Sequence, residues 1–207
     1  MSDVINDVKK IEVIGTIKDG IAIGVKNIGP ILVNFLLWVL TFWIPYLNVG
    51  TTIGLFVGII TKAARNEPVS MTEIFDKKYR QYMGEFFLTS GFVGIGVSIG
   101  FVFFVIPGFV ISIAWMFALL LAIDKGKNPT EAISISNKCT YGNKGKIFGV
   151  FFLVTLIYFI LCLIFGLIMN AIPFLGIILM IAAVLLYMFV IIGIQASMYK
   201  QLTENVC

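Results

Sequence analysis

Histidine is absent from this 207-residue chain. That removes the commonest general base and a common zinc ligand. Charge is scarce: 15 Lys and Arg with 11 Asp and Glu make up 13% of the residues, while 59% are hydrophobic. Soluble domains run nearer a quarter charged. There is too little polar side chain here to cover a water-soluble globule, and a mean hydropathy of +1.03 points to lipid as the solvent. Cysteine is limited to Cys139, Cys162 and Cys207, with no metal-type spacing; they read as reduced thiols. Cys207 is terminal, whereas a prenylation box needs its cysteine four from the end. No glycine-rich phosphate loop of the P-loop or dinucleotide type is present. The first 20 residues carry Asp3, Asp7, Glu12 and Asp19 and no continuous apolar stretch before a small-residue cleavage site. The first long apolar run is therefore expected to act as an uncleaved anchor. Together these gaps point to a non-enzymatic protein with no cofactor, no metal and no nucleic-acid partner.

What is present is an all-α integral membrane pattern. Three apolar blocks each contain one Ile-Pro pair, at Ile44-Pro45, Ile106-Pro107 and Ile172-Pro173, with the prolines 62 and 66 residues apart. A membrane helix needs about 20 apolar residues. The first arms meet this, at roughly Gly20–Ile44, Tyr82–Ile106 and Ile147–Ile172. The second arms run over Val49–Thr61, Phe109–Ile123 and Leu175–Met198; the first two are short, roughly 20–22 Å at the helical rise. Proline biases the residue before it away from helix, so each Ile-Pro is read as a turn. The prediction is a single membrane domain over 1–207 with six transmembrane helices in three hairpins, at about 20–62, 82–124 and 147–199.

Basic residues flank the blocks and are missing from the three tips. By the positive-inside rule both termini and both long loops are cytoplasmic. Lys26 sits near the cytoplasmic end of its arm, where it can snorkel. Glu85 and Asp124 read as interfacial anchors, Asp124 pairing with Lys125, Lys127 or another loop. Amphipathic segments precede each hairpin, at about 3–18, 70–81 and 129–141, and are expected at the lipid surface. Ser70-Met71-Thr72-Glu73 spells a capping box. Asn128 is placed to cap a helix that starts at Pro129 and carries an Ala132, Ile135, Cys139 stripe. Lys18, Arg80 and Lys146 each stand 27 residues before their proline, a weak threefold repeat.

Small residues recur every four positions at Gly50, Gly54 and Gly58, and at Gly96 and Gly100. Such faces let helices approach closely, within the chain or in a homo-oligomer. Asn34 and Gln195 are amides inside apolar blocks and need partners in lipid; interhelical bonds or a permeation path are the two readings. Lys77, Lys78, Arg80, Lys144 and Lys146 stand where anionic lipids of the cytoplasmic leaflet present their headgroups.

Three stretches carry a resemblance: Ser70-Met71-Thr72-Glu73-Ile74-Phe75, then Trp115-Met116-Phe117-Ala118 on to Asp124, then Glu131-Ala132-Ile133 followed by Ser136, Thr140, Gly145 and Lys146. They resemble a broad group of uncharacterised prokaryotic multi-pass membrane proteins, similar to the membrane domain attached to glycerophosphodiester phosphodiesterases. The resemblance implies a six-helix inner-membrane protein without assigned catalytic residues. The phosphodiesterase domain itself is missing, so its activity is not implied. Two functions remain in view: a small oligomeric channel or transport component, and a lipid-organising, membrane-shaping or partner-protecting protein.

Overall fold

Proline and glycine decide where the helices of this chain stop. In the computed structural model residues 10–204 are described; Val4 and Val8 of the first amphipathic segment, and Cys207, lie outside them. Among the described residues every regular element is helical. Five helices are long and apolar enough to cross a membrane, and a bent pair would make a sixth.

That pair is α1 (Val13–Lys26) and α2 (Ile28–Thr41), which meet at a 69° bend. The sequence predicts an amphipathic piece ending near 18 and a straight arm from Gly20. Instead α1 runs through 18–20 unbroken and stops before Asn27. The reason is Pro30, whose ring clashes with the carbonyl four residues back, that of Lys26, the last residue of α1. Asn27 eases the break by donating its side-chain amide to Ile23 O at 2.9 Å.

The second arm of hairpin 1 comprises α3 (Pro45–Ile53), a π-helical turn (Gly54–Gly58) and α4 (Ile59–Ala64). It ends in a Schellman motif: Asn66 adopts φ 57°, its N–H donates to Ala63 O at 3.2 Å, and Glu67 N–H donates to Lys62 O at 2.9 Å. The predicted capping box does not form. Residues 70–72 make a turn, Glu73–Phe75 a single 3₁₀ turn, and α5 is only Lys78–Gln81. The Glu73 carboxylate that the box requires is engaged by other partners, described below.

Hairpin 2 is α6 (Met83–Phe103) with α7 (Val105–Ala114) and α8 (Ala118–Asp124). Hairpin 3 is α10 (Lys144–Ala171) with α11 (Pro173–Thr203). Ile44 is extended, Ile172 lies at φ −135°, ψ 87°, and Pro45 and Pro173 open their helices, as the Ile-Pro reading expects. Hairpin 2 departs from this. Its chain reverses at Phe104 (φ −161°, ψ 149°), and Pro107 is the third residue of α7, where its missing N–H would have no helical partner anyway.

Helix α9 (Pro129–Thr140) starts as predicted, with Asn128 Oδ1 accepting from Glu131 N–H at 3.0 Å. It repairs the break at 115–117. Ser136 Oγ donates to Ala114 O at 2.8 Å and accepts from Phe117 N–H at 3.1 Å.

The amphipathic segments are packed into the protein rather than laid on its surface. The 73–81 segment packs on α3 and the π turn, α9 packs on α7 and α8, and α1 packs on α11. Each therefore rests on the second arm of the hairpin before it, with α1 closing the circle on the last. Ile74, Tyr79, Ala132, Cys139 and Thr16 are buried, Ile135 partly so, while Met71 is exposed.

Glycine sets the closest approach. A methyl on Gly20 would meet the Ile194 backbone at 2.7 Å, and one on Gly193 would strike the carbonyl of Gly20. Gly24 lies against Phe189 O. The core gathers at the charged end of the arms: Ile59, Ile60, Phe117, Leu121, Ile194 and Met198 are all but inaccessible. Phe101 to Ile106, by contrast, are exposed without interruption, and α6 and α10 are mostly exposed apolar surface.

Candidate functional site

Polar side chains concentrate where the second arms end. Asn34 is fully buried. Its amide nitrogen donates to Pro30 O and Ser70 O, both at 2.8 Å, and its oxygen accepts from Ile74 N–H at 3.1 Å. The side chain thus stands in for backbone pairing that the irregular 70–74 segment cannot supply itself. Gln195 is half-buried on α11 between buried Ile194 and Ala196. The bonds of Asn34 go to Pro30, Ser70 and Ile74, so the two predicted amides do not form a pair.

Glu73 is the centre of a charged cluster. Its side chain is 2% exposed. It accepts from Lys62 Nζ at 2.7 Å, Lys78 Nζ at 3.3 Å and Tyr79 Oη at 2.6 Å. Burial by itself would raise the carboxyl pKa; the hydrogen bonds from Lys62 and Tyr79 and the charges of both lysines outweigh it and hold the group below its ordinary value. Tyr79 moves the other way, pushed up by burial and by the Glu73 carboxylate. A carboxyl with a lowered folded-state pKa contributes stability above its unfolded value, and that stability is lost as pH falls. Wild type is therefore expected to lose thermal stability as pH drops below about 4.5. In Glu73→Gln that acid-sensitive component should shrink, at the cost of a lower melting temperature at pH 7. Thermal melts across pH 3–7 check this; unchanged acid sensitivity in the variant would remove Glu73 from the account.

A second cluster joins the three hairpins. Arg65, at the end of α4, bonds Asp124 at the end of α8, and Tyr199 Oη on α11 donates to Asp124 Oδ2 at 2.9 Å. Arg65 also pairs with Glu67 at 2.7 Å. Asp124 thus pairs with another loop and not with its neighbouring lysines. An open cavity of about 430 Å³ adjoins the cluster, with the exposed Lys125 and Lys200 on its rim.

The predicted headgroup residues are largely committed within the chain. Lys78 serves Glu73 and Asp76, Lys144 Nζ donates to Asn137 Oδ1 at 3.0 Å, and Lys146 Nζ donates to Ile11 O at 2.8 Å. The Arg80 stem packs against Gly50. Lys77 is exposed.

The predicted glycine faces are filled by the chain itself. Ile74 and Tyr79 press on Gly54, and the Tyr79 ring covers Gly58. Trp115 covers Gly96, while Gly100 meets Gly108. Sequence reasoning missed Gly20, Gly24 and Gly193, although Gly20 and Gly24 have the same four-residue spacing. It also missed Arg65, Glu73 and Tyr199, whose hydrogen bonds depend on tertiary placement.

On the lipid-facing side, α1, α10 and α11 enclose a groove of about 360 Å³. Ile17 and Ile21 form one wall, Val154 and Leu161 another, and Leu186 and Val190 the third. Tyr158 and Tyr187 stack in it at 4.3 Å, and Thr155 bonds the Tyr187 hydroxyl at 3.0 Å. Among the described residues no group of three His, Cys, Asp or Glu side chains comes together. Comparison with protein-family models, curated proteins and solved structures finds no match for this chain.

Proposed function

We propose that this membrane protein binds and organises lipid, taking an acyl chain in the groove between α1, α10 and α11. The observation that carries the reading is the groove: its walls are almost wholly apolar, and its volume lies within the usual range for small-molecule sites. Packing between the second arms supports the same reading, because Phe117, Leu121 and Met198 fill the space where they meet. Asn34, one of two residues on which a conduit would rest, spends its amide on the backbone.

The test pairs lipid retention with flux. Ile21 is 42% exposed and lines the groove, so Ile21→Trp fills it from the outside. After mild delipidation, native mass spectrometry should show lipid retained by wild type and lost by the variant. Proteoliposomes should pass ions and small solutes no faster than empty vesicles. Equal lipid retention by both proteins, or flux that depends on Gln195, would overturn the reading in favour of a transport component.

A further inference from the structure

The two arms of hairpin 2 are apolar and long enough to cross a bilayer, yet the contacts of α7 hold the tip close to charge. Ala114, eight residues past Ile106, accepts a hydrogen bond from Ser136 of α9. In α9 the neighbouring Asn137 and Lys138 are exposed. Eight residues of helix advance about 12 Å. A second route gives the same answer. Phe109, two residues past Pro107, packs its ring on Phe148 at 5.9 Å. Phe148 is the fifth residue of α10, two positions after the exposed Lys146. The tip of hairpin 3, at Ile172, is 24 residues further along α10, about 36 Å away along its axis.

A lysine needs its ammonium in water or among headgroups. The exposed Asn137 and Lys138, and the polar run Asn143–Lys146 at the start of α10, therefore place the membrane boundary beside Ala114 and Phe148. The hydrocarbon core is about 30 Å thick. From that boundary the ten residues to the Phe104 turn span about 15 Å, so the turn reaches at most half of it.

We infer that hairpin 2 is a one-leaflet wedge, its tip seated among the acyl chains of the leaflet next to the charged face, and that it does not emerge on the far side. The six tip residues fit that occupant: Phe101, Val102, Phe103, Phe104, Val105 and Ile106 are 41–83% exposed, and none can ionise. Helix α6, about 31 Å long, must then lie oblique, more along the membrane than across it. Its exposure is one-sided as that demands. Leu88, Phe92, Ile95, Ile99 and Val102 form an outward row at alternating four- and three-residue steps, while Thr89, Gly96 and Gly100 face the protein. This topology does not depend on the acyl-chain groove of hairpin 3.

The test uses the full chain with Cys139, Cys162 and Cys207 changed to alanine and a single reporter, Ile106→Cys or Val102→Cys, in oriented vesicles. Both sites are exposed, so either reporter serves if the other misfolds. Phe174→Cys, at the tip of hairpin 3, confirms that the impermeant thiol reagent works. The expected result is no labelling of residues 102 and 106 from either aqueous side. A fluorophore attached there in detergent should then lose its emission to a nitroxide at the bilayer centre and keep it with a nitroxide in the headgroups. Labelling from the far side would show a full crossing. Labelling from the near side would place the tip in water. Either result overturns the wedge.

Discussion

Gly193→Leu is expected to give the largest loss of stability of any single substitution at a helix contact in this protein. Overpacking a core typically costs about 1–3 kcal/mol and occasionally more. The upper end applies here, because the atoms a side chain would strike are the backbone carbonyl of Gly20 and the amide of Gly24. Backbone inside two packed helices has no rotamer into which to retreat. For a chain of this size that cost corresponds to a fall in melting temperature of roughly 6–12 °C. Gly91→Leu is the matched control: it makes the same chemical change on an exposed stretch of α6 with nothing within 4 Å. Leucine is the better helix former by up to about 1 kcal/mol, so the control should be neutral or slightly stabilising. If the two variants melt alike, α1 and α11 do not cross at these glycines.

Asn34→Leu should be at least as damaging, through lost hydrogen bonds rather than added bulk. It keeps the branched shape of the side chain, but it leaves Ile74 N–H and Ser70 C=O without their partner in a buried place. Each orphaned group costs about 1–3 kcal/mol. The expected result is a destabilisation of roughly 2–6 kcal/mol, with loss of hydrogen-exchange protection at the Ile74 amide. Protection that survives the substitution would show that Asn34 is not what holds the segment. The outcome also governs how functional assays are read: loss of activity in an Asn34 variant follows from a displaced 70–79 segment and does not by itself indicate a pathway through the membrane.

Helical character, the three reversals and the Asn128 cap were legible because each depends on a few neighbouring residues. Ile44-Pro45 and Ile172-Pro173 behave as local rules require. The bend at Asn27 was legible in principle, since Pro30 stands four residues after Lys26, but the apolar run around it masked the signal. The capping box failed for a reason no local pattern contains: Lys62, eleven residues earlier, competes for Glu73. The glycine rows were legible from their spacing, yet their partners were not. What meets Gly54 and Gly58 is Tyr79 of the short α5, joined at Gly54 by Ile74, rather than another membrane-length helix. For the same reason the basic loop residues read as headgroup contacts, whereas Lys78, Lys144 and Lys146 are held by groups far apart in the sequence or across a turn.

The circular hand-over of packing has a consequence in time. Segments 73–81 and 129–140 find their seats on hairpins already made when they leave the ribosome. Helix α1 does not, because its seat, between Phe189 and Ile194, is synthesised about 170 residues after Gly20. At about 5–20 residues per second, Gly20 waits roughly 10–30 s for Gly193. During that interval the glycine face of α1 lacks its partner, so α1 and α11 can close on each other only after α2 to α10 have been made.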